Sequence, residues 1–130
     1  MASVPAIRVL VVDDDGAVRH MVCTALRRHG FTVSGAQHGV EALAMLHAAA
    51  YDLLVLGLMM PRLDGFGVLE AIDGTAAAHL KILILTAAVP SVLERLPRER
   101  VHAVLAKPFD IATLIATARA AVAGTRVTSD

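Results

Sequence analysis

Three groups of polar residues in this 130-residue chain stand immediately after short apolar runs, and their types suit phosphoryl or metal chemistry. Asp13, Asp14 and Asp15 follow Val9 to Val12. Thr86 follows Ile82 to Leu85. Lys107 follows Val104, Leu105 and Ala106. Clustered carboxylates suit a hard divalent cation such as Mg²⁺, which takes oxygen ligands. A Thr hydroxyl and a Lys ammonium are donors to phosphoryl oxygens. Each residue alone has an ordinary structural reading: an Asp caps a helix and favours its positive end, and a Thr ends a strand. Lys107 resists that reading. Of the 12 cations only Lys81 and Lys107 are Lys, the rest being Arg, and a compact ammonium is not interchangeable with a planar guanidinium.

The runs that position these residues alternate with helical patterns. Ile7–Val12, Phe31–Ser34, Asp52–Leu56, Lys81–Leu85 and Val101–Leu105 read as five strands. The first, third and fourth are nearly continuous apolar runs, as in central strands of a parallel sheet covered on both faces. Between them, Val18, Met21, Val22, Ala25, Leu26 and His29 follow the helical repeat, with Gly30 as the stop. Leu43, Leu46, His47 and Ala50 mark a second helix, and Gly65 to Ile72 a third. Ile111, Leu114, Ile115, Ala118 and Val122 mark the last, capped by Asp110 and stopped by Gly124. The fourth helix is curtailed: Ser91 caps Val92 to Leu96, and Pro97 ends it within about two turns. The alternation predicts a doubly wound α/β sandwich with strand order 2-1-3-4-5. Ligands of such sheets bind at the carboxyl ends of the strands, where the carboxylates, the hydroxyl and the ammonium all fall.

Composition narrows the function. Twelve cations balance twelve carboxylates, so no global field draws the chain to nucleic acid or an anionic membrane. Hydrophobic residues make up 56%, enough for a core and too many for disorder. The longest apolar run, Leu53 to Met60, stops at Pro61, short of the roughly 18 residues a membrane span needs. Met1 to Pro5 has no secretory-signal pattern. One cysteine, Cys23, excludes an internal disulfide or a paired-thiolate zinc site and reads as a packing residue. These features predict one cytoplasmic domain. His20, His29, His38 and His47 recur every nine residues, but nine helical residues turn about 900°, placing partners on opposite sides of a helix. Arg95, Arg98 and Arg100 form a small basic cluster, a solvated face or a surface for an acidic partner.

Four stretches carry a family resemblance: Val9 to Asp15, Asp52 to Gly65, Leu85-Thr86-Ala87 and Ala106-Lys107-Pro108-Phe109. Together they resemble the receiver domain of two-component response regulators over residues 6–123, with 124–130 a frayed tail. The resemblance implies a flavodoxin-like (βα)5 fold that takes a phosphoryl group from a histidine kinase onto an Asp at the end of the third strand. It implies that Asp13, Asp14 and the Met59 carbonyl hold Mg²⁺. Thr86 is then the switch hydroxyl and Lys107 the phosphoryl contact, while Pro61 and Gly65 shape the loop after the third strand.

The acceptor position departs from the family. The family's Asp lies four residues before the Pro of its Met-Pro motif, and here that residue is Gly57. Glycine supplies neither a nucleophilic oxygen nor a ligand carboxylate. Asp52 is at the far end of the same strand, about 16 Å away, and Asp64 lies beyond the loop. Mg²⁺ binding is therefore expected to be weak or lost, with Lys107 paired to Asp13 or Asp14. Val104 stands where receivers commonly carry a switch aromatic. The expected function is a pseudo-receiver, not an enzyme and with no required cofactor. It works through protein partners: a sensor histidine kinase, a downstream signalling protein or a second copy of the chain. Neither nucleic acid nor membrane is expected as a partner. Two alternatives stand beside it: a conventional receiver in which the Asp at 57 has been replaced, and a small-ligand sensor using an enlarged pocket above Gly57.

Overall fold

The computed structural model describes residues 6–87 and 90–123. The expectations for Met1 to Pro5, for Gly124 as a helix stop and for the tail 124–130 lie outside the described residues. Five parallel strands, β1 (Arg8–Val12), β2 (Thr32–Ala36), β3 (Leu53–Gly57), β4 (Lys81–Thr86) and β5 (Ala103–Ala106), form one sheet in the order β2-β1-β3-β4-β5. The helices α1 (Gly16–Arg28), α2 (Gly39–Ala48), α3 (Gly65–Ile72), α4 (Pro90–Leu93) and α5 (Ile111–Ala123) connect and flank them, with a 3-10 turn at Ala76–His79. The predicted fold class and strand order hold.

The sheet has two separate cores because its strands are apolar on both faces. One face packs Val9, Val11, Leu83 and Leu85 against α1 and α5 through Leu26, Leu114 and Ala118. The other packs Leu10, Leu54, Leu56 and Ile84 against Ala42 of α2 and Val68 and Ile72 of α3. Each fully buried Leu, Ile or Val stabilises the fold by roughly 1.5–3 kcal/mol.

Local sequence explains most element ends. Asp15 caps α1 through the amides of Ala17 and Val18. Asp64 caps α3 through Gly67, and Asp110 caps α5 through Thr113 at 2.6 Å. Gly30, with φ +94°, turns the chain after α1 into a conformation that suits glycine. Several expectations need correction. Met21 is exposed, whereas Cys23 takes the packing place expected of it. The inward side of α2 is Ala42, Leu43, Met45 and Leu46, while His47 and Ala50 are exposed. Ser91 lies inside α4 and does not cap it. After Leu93 the chain turns through Glu94 N–H to Pro90, Arg95 N–H to Val92 and Leu96 N–H to Leu93. Pro97, without an N–H, ends it.

The strand register places Val12, Ala36, Leu56 and Ile84 side by side, and Thr86 beside Ala106. Asp13, Gly57, Thr86 and Lys107 therefore emerge along one edge of the sheet, although 94 residues separate the first from the last.

Candidate functional site at the carboxyl edge of the sheet

The three consecutive aspartates have three different environments. Asp13 is buried, while Asp14 and Asp15 are exposed. The Asp13 side chain is 1% exposed, and both its oxygens are engaged: Oδ2 accepts from Lys107 Nζ at 2.9 Å and Oδ1 from the Asp15 amide at 2.9 Å. Its carbonyl accepts from Arg19 Nη1 at 2.6 Å. A buried carboxylate without such partners would be strongly destabilising. Arg19 was not singled out from the sequence. Its position on the first turns of α1, facing back toward the end of β1, was the available signal.

Lys107 reaches Asp13 from the end of β5. Its amide donates to the Thr86 carbonyl at 2.8 Å, and the Lys107–Pro108 peptide is cis. Thr86 is buried. Met59 is exposed on the loop after β3. That loop folds back tightly, with the Gly65 amide donating to the Leu58 carbonyl at 2.8 Å. A Cβ at Gly65 would fall 2.8 Å from the Gly57 carbonyl oxygen, so this close backbone approach requires glycine.

Gly57 ends β3 opposite Leu85. A Cβ there would come 3.2 Å from the Val12 carbonyl oxygen and 3.3 Å from Asp13 Oδ2. A side chain at this position therefore needs Val12 or Asp13 to give by a few tenths of an ångström. Neither other carboxylate on β3 or its loop serves as a replacement. Asp52 Oδ2 accepts from the Arg8 amide at 2.9 Å at the opposite end of the strand, and Asp64 caps α3.

Each Asp13 oxygen already accepts one protein donor and position 57 supplies no carboxylate, so this edge offers a divalent cation few charged ligands. Among the described residues no three His, Cys, Asp or Glu side chains are grouped to hold a metal.

Residues outside the edge take structural places. Burial pushes the Cys23 thiol up, against the smaller pull of Arg27 and Arg19, which keeps it protonated and unreactive. His29 caps the end of α1, its Nδ1 2.9 Å from the Ala25 carbonyl oxygen. His38 caps α2 by accepting from the Glu41 amide at 3.2 Å; the sequence reading did not find this role. Among the described residues no helix is long and apolar enough to cross a membrane.

A doubly wound sheet gathering an acidic side chain, a hydroxyl and a lysine at its carboxyl edge is a flavodoxin-like module. The response regulator receiver domain model matches residues 9–119, and the chain belongs to that family. It is 43% identical over 127 residues to the response regulator MprA of Mycobacterium ulcerans, covering 96% of this chain and 54% of that protein. It is 44% identical over 123 residues to MprA of Mycobacterium tuberculosis, covering 93% and 53%. Among solved structures it is similar to the chemotaxis protein CheY4 of Vibrio cholerae, with TM-score 0.83, 29% identity and coverage of 90% of this chain and 99% of that one. It is also similar to TrrA of Thermotoga maritima in complex with Mg²⁺ and beryllium fluoride, with TM-score 0.79, 28% identity and coverage of 88% and 98%.

The chain spans about half the length of those MprA relatives. The expectation of no nucleic-acid partner rested on balanced charge, and relatives about twice as long leave it unsupported. The balanced charge remains a property of these 130 residues alone.

Proposed function

We propose that this receiver domain signals by binding protein partners and does not undergo aspartyl phosphorylation. The observation that carries the reading is Gly57 at the acceptor position, with Asp13 beside it held by Lys107 at 2.9 Å. Aspartyl phosphorylation needs a carboxylate oxygen as nucleophile, and residue 57 has none. The lysine that would meet an incoming phosphoryl group is already paired with a carboxylate. Asp13, Asp14, Thr86, Lys107 and the Met59 carbonyl are then remnants of a phosphorylation site, and Asp13 with Lys107 is a fixed strut between β1 and β5. Val104 supports the same reading, because an aliphatic stub cannot swing between buried and exposed states as an aromatic ring does.

Incubation with Mg²⁺ and a small acyl-phosphate donor, followed by intact mass, tests this. No adduct is expected. An acid-sensitive gain of about 80 Da, the mass a phosphoryl group adds, that hydroxylamine removes as it does an acyl phosphate would overturn the reading.

The retained Asp13, Asp14, Thr86 and Lys107 favour a second reading, a conventional receiver whose Asp at 57 has been replaced. Gly57→Asp should then restore Mg²⁺-dependent phosphorylation together with a structural response around Val104 and α4. Under the first reading, a restored acceptor leaves Val104 and α4 unresponsive.

A further inference from the structure

Three carboxylates stand in a row after β1, and Asp13 is the one that turns inward to Lys107. Successive side chains of an extended segment point to opposite sides, so Asp13 and Asp14 cannot both do so. The direction of a side chain is set once the amide on one side of its Cα and the carbonyl on the other are both held. Releasing either lets the residue pivot, which carries one aspartate out and its neighbour in.

The turn itself holds only part of Asp13. Its amide donates to the Ala36 carbonyl at 3.3 Å, which fixes the side entering from β1. The Asp15 amide donates to Asp13 Oδ1 at 2.9 Å, and Asp15 Oδ1 accepts from the Ala17 and Val18 amides. These bonds bear on the Asp13 carboxylate and on the start of α1. The Asp13 carbonyl is held from elsewhere: it accepts from Arg19 Nη1 at 2.6 Å.

Arg19 is placed to do this. Its own amide donates to the Asp15 carbonyl at 2.9 Å, so its backbone is anchored to the turn that its side chain grips. Its stem lies over β2, where a Cβ at Gly35 would come 3.5 Å from Arg19 Cδ. The guanidinium ends beside Gly16, whose Cβ would lie 3.5 Å from Nη2. Although three aspartates precede it, the guanidinium forms no salt bridge among the described residues. A cation serving as a counter-charge would reach a carboxylate. This one is spent on a backbone oxygen, where a charged donor makes a stronger bond than a neutral one.

We propose that Arg19 is the positioning residue of this edge: by holding the Asp13 carbonyl it fixes the Asp13 Cα so that this side chain, and not that of Asp14, meets Lys107. The closed edge is then locked from α1 as well as from β5. The proposal rests on the reading of Asp13 with Lys107 as a strut, and it names what keeps the strut in register. Arg19 acts on the pair only through the backbone of Asp13.

Side-chain NMR of the full chain tests this, because Lys81 and Lys107 are its only lysines. With isotope-labelled lysine, a paired ammonium gives a signal whose protons exchange slowly with water. The Lys107 signal is assigned by its loss in Lys107→Arg. The parent should show it, Asp13→Asn should abolish it and Asp14→Asn should leave it. Arg19→Met keeps an apolar stem over Gly35 and removes the donor, and it should speed exchange at Lys107 about tenfold. Arg19→Lys, which retains a donor, should recover most of the slow exchange. Leu26→Ala, a core change elsewhere on α1, should lower the melting temperature and leave the Lys107 signal in place, which separates positioning from general destabilisation. If Arg19→Met does not fold, Arg19→Gln takes its place with the same expected direction. A Lys107 signal unchanged by loss of the Arg19 guanidinium, loss of that signal in Asp14→Asn, or its absence from the parent would overturn the proposal. The two readings fail separately. A phosphoryl adduct in the mass experiment sinks the phosphorylation-independent function and leaves the lysine result standing. Indifference of Lys107 to residue 19 in an unmodified protein sinks the role of Arg19 alone.

Discussion

The neighbourhood of Asp13 and the neighbourhood of Val104 belong to the same sheet and are built on opposite terms. Around Asp13, central strands buried on both faces deliver a carboxylate into the interior, where Lys107 and the Asp15 amide complete its contacts. Around Val104, an edge strand alternates between half-buried and exposed positions, and the helix that would cover it lasts one turn. The first region is closed by charge pairing and close backbone packing. The second is left open by two prolines. In a receiver that switches, a chemical event in the first region is read out in the second. On the proposed reading the closed region has no acceptor and the open region has no aromatic reporter.

Stability should divide along the same line. The largest effect is expected from Leu56→Ala, in the buried strand that ends at Gly57. Urea unfolding should show a loss of about 3 kcal/mol, typical of a buried Leu-to-Ala change. A loss under about 1 kcal/mol would mean that the β3 core is looser than its burial indicates.

Lys107→Ala comes next, because it leaves the Asp13 carboxylate buried without its cation. A loss of about 2 kcal/mol is expected, at the low side of a broken buried pair because the Lys107 side chain is partly solvated. The same melts should show Mg²⁺ stabilising Lys107→Ala more than the parent, since one Asp13 oxygen is released. Equal Mg²⁺ responses would contradict the pairing.

Gly57→Asp sharpens the comparison from the other direction. A third carboxylate against Asp13 should lower the melting temperature in chelator and restore it in Mg²⁺, as like charges in close contact demand a counter-ion. A melting temperature insensitive to Mg²⁺ would show that the edge does not assemble a metal site even when its carboxylate is returned. At the open end, Val104→Ala should change stability by less than about 0.5 kcal/mol, as for a surface substitution.

The smallest effect is confined to acid. The Thr113 amide, then its hydroxyl, hold the Asp110 carboxyl below its ordinary value. A carboxyl depressed on folding adds stability above its unfolded pKa of about 4. That stability disappears as pH falls through the folded value. Asp110→Asn, still a capping residue, should flatten the decline in melting temperature below about pH 4 and leave neutral pH almost untouched. An unaltered acid limb would remove the Asp110 cap from the account.

The parts of the fold legible in the sequence were those written in local pattern. The apolar runs of β1, β3 and β4, the bounds of α3, the cap at Asp110 and a cap of α1 within Asp13 to Asp15 all follow from residue type and spacing. The end of β2 was not legible, because Gly35 and Ala36 favour no strand, yet they pair with Val11 and Val12. β5 shifted two residues at its start for a similar reason: it is a short edge strand held by β4. Met21 fits the helical stripe but lies beyond the rim of the core, which Cys23 fills instead. At the site, the residue types and their placement at strand ends were readable. The choice of Asp13 over Asp14 as the partner of Lys107 was not, since it depends on which carboxylate the β1–α1 turn directs inward. The grip of Arg19 on the Asp13 carbonyl was hidden for the same reason.

The central claim is that residue 57 leaves this edge unable to accept a phosphoryl group. The direct measurement is an amide NMR titration of the unmodified chain with Mg²⁺ and beryllium fluoride. The account predicts no new resonances for Gly57, Thr86 or Lys107 and no change at Val104. A second, slowly exchanging set of peaks at those residues, appearing with both reagents together, would contradict it.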